Sequence, residues 1–175
     1  MLDIVTDLPQ IAALSIEREE ENDQFHYFLQ ALPANEVDEK VYAIQDVITP
    51  QIDCQQCGNC CKTLMIQVTA AEANRVAAHL QQDATDFTNA YLEKGIGGQM
   101  ILHSIPCTFL QDRSCSIYEH RFAGCREFPA LHLPGFTNRF FTVAMHYARC
   151  PIVFNTIEAL KIECNFFVDD VHNTH

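Results

Sequence analysis

The sequence predicts an α+β fold: one small domain with a helical N-terminal region and a cysteine-rich, turn-rich, metal-organised core. Three observations lead there. Apolar residues recur at helical spacing through residues 1–53. Two short segments alternate like half-buried strands. Eight of the nine cysteines fall between residues 54 and 150, among turn-forming residues. No internal repeat, low-complexity tract or linker interrupts the chain. The expected organisation is a helical region over 1–53, a cysteine-cluster, metal-chelating region over 54–151, and a C-terminal helix and tail over 152–175. All three are expected to share one structural domain.

The first helix rests on Ile11, Leu14, Phe25, Phe28, Leu29 and Leu32, with the charged "REEEND" as its wet face. It reads as one long amphipathic helix ended by Pro33. A second helix is expected from Asn35 as N-cap, with Val37, Val41, Ile44 and Ile48 on one stripe. Packing or dimerisation accounts for these faces. "TPQID" breaks the pattern and feeds "CQQCGNCC".

After that loop, "TLMIQV" alternates Leu64, Ile66 and Val68 as a strand. Thr69 and Glu72 form a capping box for a helix to about Gln82. "DFTNAYLEK" predicts a shorter helix closed by Gly95 and the Gly97-Gly98 turn, and "QMILHSI" a second strand leading to Pro106-Cys107. "QDRS" is a turn, and "CSIYEHRFAGCREFP" is turn-rich with room for one short helix. "RFFTVAMHYARC" fits strand or helix equally, because its apolar run carries no single period. Residues from Thr156 to about Phe167 predict the last helix.

Hydrophobic residues make up 48% and charged residues 19%, a globular rather than disordered composition. The longest apolar run falls short of the roughly 18 residues a membrane span needs. "MLDIVTDLPQ" has neither a basic n-region nor an apolar h-region, so a cytoplasmic protein is expected. The net charge of −12 is uneven. Residues 1–53 hold 12 acids and 2 bases, net −10; residues 54–150 hold 7 acids and 8 bases, net +1; residues 151–175 hold 4 acids and 1 base, net −3. No basic stripe exists to collect phosphates, which argues against nucleic acid. The expected partner is a protein, with neither nucleic acid nor membrane.

Sulfur is the chemical signal. Cys54, Cys57, Cys60 and Cys61 crowd into eight positions. In a reducing cytosol such a pattern points to metal or catalysis rather than to disulfides, and nine is an odd number. A C-x2-C unit wraps a tight turn whose two sulfurs converge on one metal. Cys54/Cys57 and Cys57/Cys60 both have that spacing, with Gly58 supplying backbone freedom. Adjacent residues in non-helical backbone diverge, so Cys60 and Cys61 are expected to serve different ions. Cys107, Cys115, Cys125 and Cys150 follow, spread over 44 positions. Eight thiolates suffice for two sites of four, or for one cluster and a second metal. On two divalent ions they leave −4, which neighbouring Arg and Lys would offset.

A thioredoxin-like pair is disfavoured because "TPQID" is a poor strand and further cysteines crowd the motif. An iron–sulfur cluster matches C-x2-C-x2-C and the remote Cys150-Pro151, without the fourth cysteine at x3 spacing. Zinc accepts dispersed ligands equally well. Spacing therefore leaves zinc, iron and a [4Fe–4S] cluster open. Cys164, at helical spacing from Leu160, reads as a small buried hydrophobe. His103, His120, His132 and His146 are singly placed, and ordinary core or surface roles are expected for each. Arg121 and Arg126 flank Cys125, as donors to a thiolate-bound cofactor or as partners of Glu119 and Glu127. No nucleotide, hydrolase or metalloprotease motif is present, and no catalytic constellation is visible.

"CQQCGNCC", "PCTFLQDRSCSIYEHRFAGCREFP" and "RCP" together resemble the CxxCxxCC, or YkgJ-like, family of zinc- or iron-chelating domains. The resemblance covers residues 54 to 151. It implies metal ligation by Cys54, Cys57, Cys60, Cys61, Cys107, Cys115, Cys125 and Cys150. The family reads Arg-Pro before its "CR", whereas here Phe122 follows Arg121. Two functional classes follow. One is a metal-binding module in a structural or accessory role. The other is an iron–sulfur enzyme, or enzyme component, related to protein lysine methylation. Longer relatives are linked to methylation of flagellin, but this sequence shows no S-adenosylmethionine site. A metal centre joining one of the first four cysteines to one of the dispersed four is expected.

Overall fold

A computed structural model describes residues 3–167. It is α+β, 58% helix with small sheets. Chain contacts divide it into two compact units, one from the stretches 3–52 and 129–167, the other Asp53–Phe128. In chain order the helices of the first stretch are α1 (Leu8–Glu17), α2 (Glu19–Gln30) and α3 (Ala34–Ile48). The second unit runs α4 (Cys54–Cys57), α5 (Cys60–Thr63), β1 (Ile66–Val68), α6 (Ala70–His79), α7 (Ala84–Tyr91), β2 (Leu92–Lys94) and β3 (Met100–Leu102). It continues with β4 (Leu110–Gln111), β5 (Ser114–Cys115) and α8 (Ala123–Glu127). The chain then returns to the first unit with α9 (Phe136–Ala144) and α10 (Pro151–Glu163).

The helical unit is built around α10. Every residue from Pro151 to Ile157 is buried, as are Ala159, Leu160 and Lys161. It packs on α1 and α3, while α9 packs on α2 and α3. The expected stripe of Val37, Val41, Ile44 and Ile48 is the buried face of α3. Burial of α10 brings polar groups inside: Asn155 and Lys161 are paired, whereas the Thr156 hydroxyl is buried without a hydrogen-bond partner among the described residues. Asn155 exchanges hydrogen bonds with the Val5 backbone at 2.9 and 2.8 Å. The Lys161 ammonium lies 2.7 Å from Glu158 and 2.9 Å from Glu21. Arg18 also pairs with Glu158, and the Tyr147 hydroxyl donates to Glu158 at 2.7 Å. Burial and the Glu158 carboxylate push the Tyr147 hydroxyl's pKa up.

Three expectations are corrected in this unit. The long first helix is two, broken where Arg18 leaves helical backbone at φ −102° and ψ 15°. One straight rod cannot cover both neighbours: α1 meets α10, whereas α2 meets α9. The N-cap position of α3 is Pro33 rather than Asn35, and Asn35 lies inside the first turn. The last helix opens at Pro151, not Thr156, because proline is well placed at the first helical position. Of the stretch compatible with strand or helix, residues 139–144 belong to α9 and the remainder turns toward α10. The N-terminal amides of α9, Gly135 and Phe136, each donate to the Asp38 carboxylate at 2.8 Å. The predicted tail at 168–175 lies outside the described residues.

In the cysteine unit, β1, β3 and β2 form an antiparallel sheet in that order. Ile66 and Leu92 both stand opposite Leu102. The capping box is formed: the Thr69 hydroxyl accepts from the Glu72 amide, and the Glu72 carboxylate accepts from the Thr69 amide. Leu92–Lys94 corrects the sequence reading, since "LEK" leaves the expected helix to pair with β3. Cross-strand pairing and burial of Leu92 outweigh the helical propensity of that tripeptide. The Gly95–Gly98 turn closes this hairpin rather than a helix, with Gly98 N–H bonded to Gly95 C=O. Val68, Val76, Phe87, Leu102, Phe109, Ile117 and Phe122 form the core beneath. Phe122 is 1% exposed and belongs to that core.

Candidate metal centre

The sulfur-bearing segments are four, each fixed by local chemistry. In the first, the Asp53 carboxylate accepts from the Gln55 amide at 2.9 Å and starts the single turn Cys54–Cys57. Gly58 ends that turn at φ +59°, where a side chain is strained. A Cβ there would also lie 2.6 Å from the Arg113 carbonyl oxygen, so glycine lets the loop sit against the β4–β5 hairpin. The second segment is α5. The backbone at Cys60 and Cys61 is helical rather than the non-helical loop the sequence suggested, and the Cys60 side chain lies within hydrogen-bonding reach of Cys61.

The third segment is tied directly to the second: the Cys107 amide donates to the Cys61 carbonyl at 2.7 Å. It continues into the hairpin, where Cys115 stands opposite Leu110. The fourth is α8, which carries Cys125. Its first amide, Ala123 N–H, donates to Glu72 Oε1 at 2.6 Å. Glu72 thus caps α6 with one oxygen and anchors α8 with the other. These bonds to Ala123 and Thr69 hold its carboxyl below the usual range against its partial burial.

The electrostatics group the sulfurs. Repulsion from Cys61 raises the thiols of Cys107, Cys115 and Cys125; Cys115 also raises Cys107 and Cys125, and Cys107 raises Cys125. Cys107, Cys115 and Cys125 also pack against the apolar core. Burial, followed by repulsion from Cys61, Cys107 and Cys115, pushes the Cys125 thiol up to about 12. Burial raises Cys115, and burial with Cys61 and Cys115 raises Cys107. The hydrogen bond to Cys60, then burial, raises Cys61. Opposing these effects, the amides of Phe109 and Leu110 favour the Cys107 thiolate, and the Ile117 amide favours that of Cys115. Such N–H donors to sulfur also tune bound metals.

Cys54 forms a second neighbourhood: its thiol is raised by burial, by Cys57 and by Asp53, and more weakly by Cys61. Arg121 lowers the thiols of Cys54, Cys115 and Cys125 through its charge. Its guanidinium donates to the Tyr118 carbonyl at 2.7 Å and stacks 3.8 Å over the Tyr118 ring. Arg126 donates to the Arg121 carbonyl and so braces the segment that carries Arg121. Cys150 lies in the helical unit, buried at the N-cap of α10, and Cys164 is half-buried at that helix's C-cap.

The histidines divide similarly. His120 stacks on His79 with ring centroids 3.8 Å apart, and His103 and His132 are exposed. His146 lies in the helical unit, where burial and then Arg149 lower its pKa. Glu72 and Tyr118 were not legible as site residues. The capping-box spacing announced only one of the two roles of Glu72.

Among the described residues, no group of three or more His, Cys, Asp and Glu side chains stands at metal-holding spacing. Charge coupling reaches farther than a metal–sulfur bond of about 2.3 Å, so the sulfurs are grouped without being closed on a common point. The donor chemistry, thiols with amides directed at sulfur beside a guanidinium, fits a thiophilic cation.

A small sheet flanked by short helices, a hairpin and a loop that carry the cysteines defines a cysteine-cluster domain. Residues 53–152 match the family model CxxCxxCC, described as "Putative zinc- or iron-chelating domain". The match spans more than half of the chain, and the chain belongs to this family. No curated protein and no solved structure matches it.

Proposed function

We propose that Cys61, Cys107, Cys115 and Cys125 bind one zinc or iron ion as a four-thiolate centre that cross-links α5, the β4–β5 hairpin and α8. The backbone bond from Cys107 to Cys61 and the packing of Cys107, Cys115 and Cys125 against one apolar core carry the reading, and the raised thiols of these residues support it. A closed set of four thiolates is the form structural sites take, so the role is structural or accessory rather than catalytic. A [4Fe–4S] cluster would use the same four ligands. Cys54, Cys57 and Cys60 are the nearest source of ligands for a second ion. For Cys150 a ligand role rests on the family match, which runs to residue 152. Four thiolates on a divalent ion leave −2, and Arg121 offsets part of it.

No helix among the described residues is long and apolar enough to cross a membrane. The cysteines form no disulfides, and the reading places the protein in a reducing compartment, the cytoplasm. Its net acidity favours a protein partner over nucleic acid.

Metal analysis of anaerobically purified protein, with an optical spectrum, tests the proposal and separates zinc from iron and iron–sulfur. Cys125→Ala is expected to lose most of one equivalent of metal, while Cys164→Ala keeps the wild-type content. Equal metal in both variants would contradict the assignment.

A further inference from the structure

We propose that the groove between α2 and α9 docks a cationic amphipathic helix of a partner protein. The groove encloses about 350 Å³ and lies wholly in the helical unit. One wall is acidic: Glu19 and Asp23 stand one turn apart on α2, both exposed. Neither enters an ion pair among the described residues, since the nearby cations Arg18 and Lys161 are engaged by Glu158 and Glu21. The other wall is apolar: Phe141 and Met145, also one turn apart, are 68% and 58% exposed. Ile16, 77% exposed, closes one end. No Lys or Arg lines the groove.

The floor is preorganised. Phe140 is 2% exposed and meets Phe25 edge-on at 5.7 Å and Phe136 at 5.9 Å, with His26 stacked on it at 5.3 Å. Single exposed apolar residues are ordinary on any surface, but here three border one cleft. Both walls repeat with the period of a helix turn. An occupying helix with apolar residues along one stripe and Lys or Arg beside it would meet both walls at once. Charge also selects the occupant. Residues 1–53 carry net −10, so a second copy or an anionic membrane would bring like charges together.

The probe is a fluorescein-labelled Leu/Lys peptide of about 14 residues, roughly four turns of amphipathic helix. A scrambled peptide of the same composition keeps the charge but loses the stripe. Fluorescence anisotropy with the full chain is expected to show saturable binding of the first and about tenfold weaker binding of the second. Phe141→Ser and the pair Glu19→Lys, Asp23→Lys should each weaken binding about tenfold, whereas Glu39→Lys on α3 changes it less than about twofold. All these positions are exposed, and circular dichroism checks that the variants fold. Equal binding of the scrambled peptide, indifference to Phe141→Ser, or no saturable binding would overturn the proposal. So would self-association in sedimentation that Phe141→Ser abolishes, because the groove would then hold a second copy.

Discussion

The helical unit and the cysteine unit solve the same problem by different means. In the first, a thirteen-residue helix is buried on nearly every side, and its Asn155 and Lys161 are paired inside. In the second, an apolar core lies under three short strands, yet the loop carrying the clustered cysteines has two helices of four residues each. Isolated helices that short cannot hold themselves in water. Glycine packing at Gly58, the Cys61–Cys107 backbone bond and the Glu72–Ala123 bond tie this loop region down. Apolar burial organises the first unit, while the second sets several of its thiols against the edge of its core.

Removing the metal should break that comparison most visibly. Amide exchange after chelation is expected to accelerate by roughly 10²-fold or more through residues 53–128, about 3 kcal/mol of local stability. Residues 3–52 and 129–167 should change little. Equal loss of protection in both stretches would show that the metal holds the whole chain.

Next in size is the converse perturbation. Leu160, with no exposed surface, is central to α10, and Leu160→Ala is expected to cost about 2–5 kcal/mol by leaving a cavity. Denaturant titration should show a lowered midpoint with metal content intact. Metal loss in that variant would mean that the sulfur centre depends on the helical packing.

A smaller effect belongs to Glu72. Glu72→Ala removes the carboxylate half of the capping box and the anchor of α8, and should cost about 1–2 kcal/mol. Its folded carboxyl titrates below the unfolded value of about 4.3, so its contribution is full above that pH. The contribution is lost as pH falls through the folded pKa. Acid titration of Glu72→Gln should therefore be flatter below about pH 4.3 than that of wild type. Parallel curves would remove Glu72 from the account.

What could be read from sequence follows how local its cause is. The stripe of α3 and the capping box of α6 depend on residues within a few positions, and both stand as expected. The strand Leu92–Lys94 owes its existence to β3, so its own residues read as helix. The Asp38 cap of α9 is 97 residues from the amides it serves, and no local pattern encodes it. The break at Arg18 follows from two different neighbours, α10 and α9, which the amphipathic pattern does not distinguish. The cysteines show the same division. Their identity was plain in "CQQCGNCC" and in the dispersed positions downstream. Which sulfur lies near which was not, because Cys61 comes within electrostatic reach of Cys107, Cys115 and Cys125 only once hairpin and helix have folded.

The central claim is that sulfur alone surrounds the metal, and X-ray absorption at the metal edge counts those ligands directly. The account predicts four sulfurs per ion, at about 2.3 Å if the ion is zinc, and fewer in Cys61→Ala. A first shell containing nitrogen or oxygen in the wild-type protein, or one unchanged in Cys61→Ala, would contradict it.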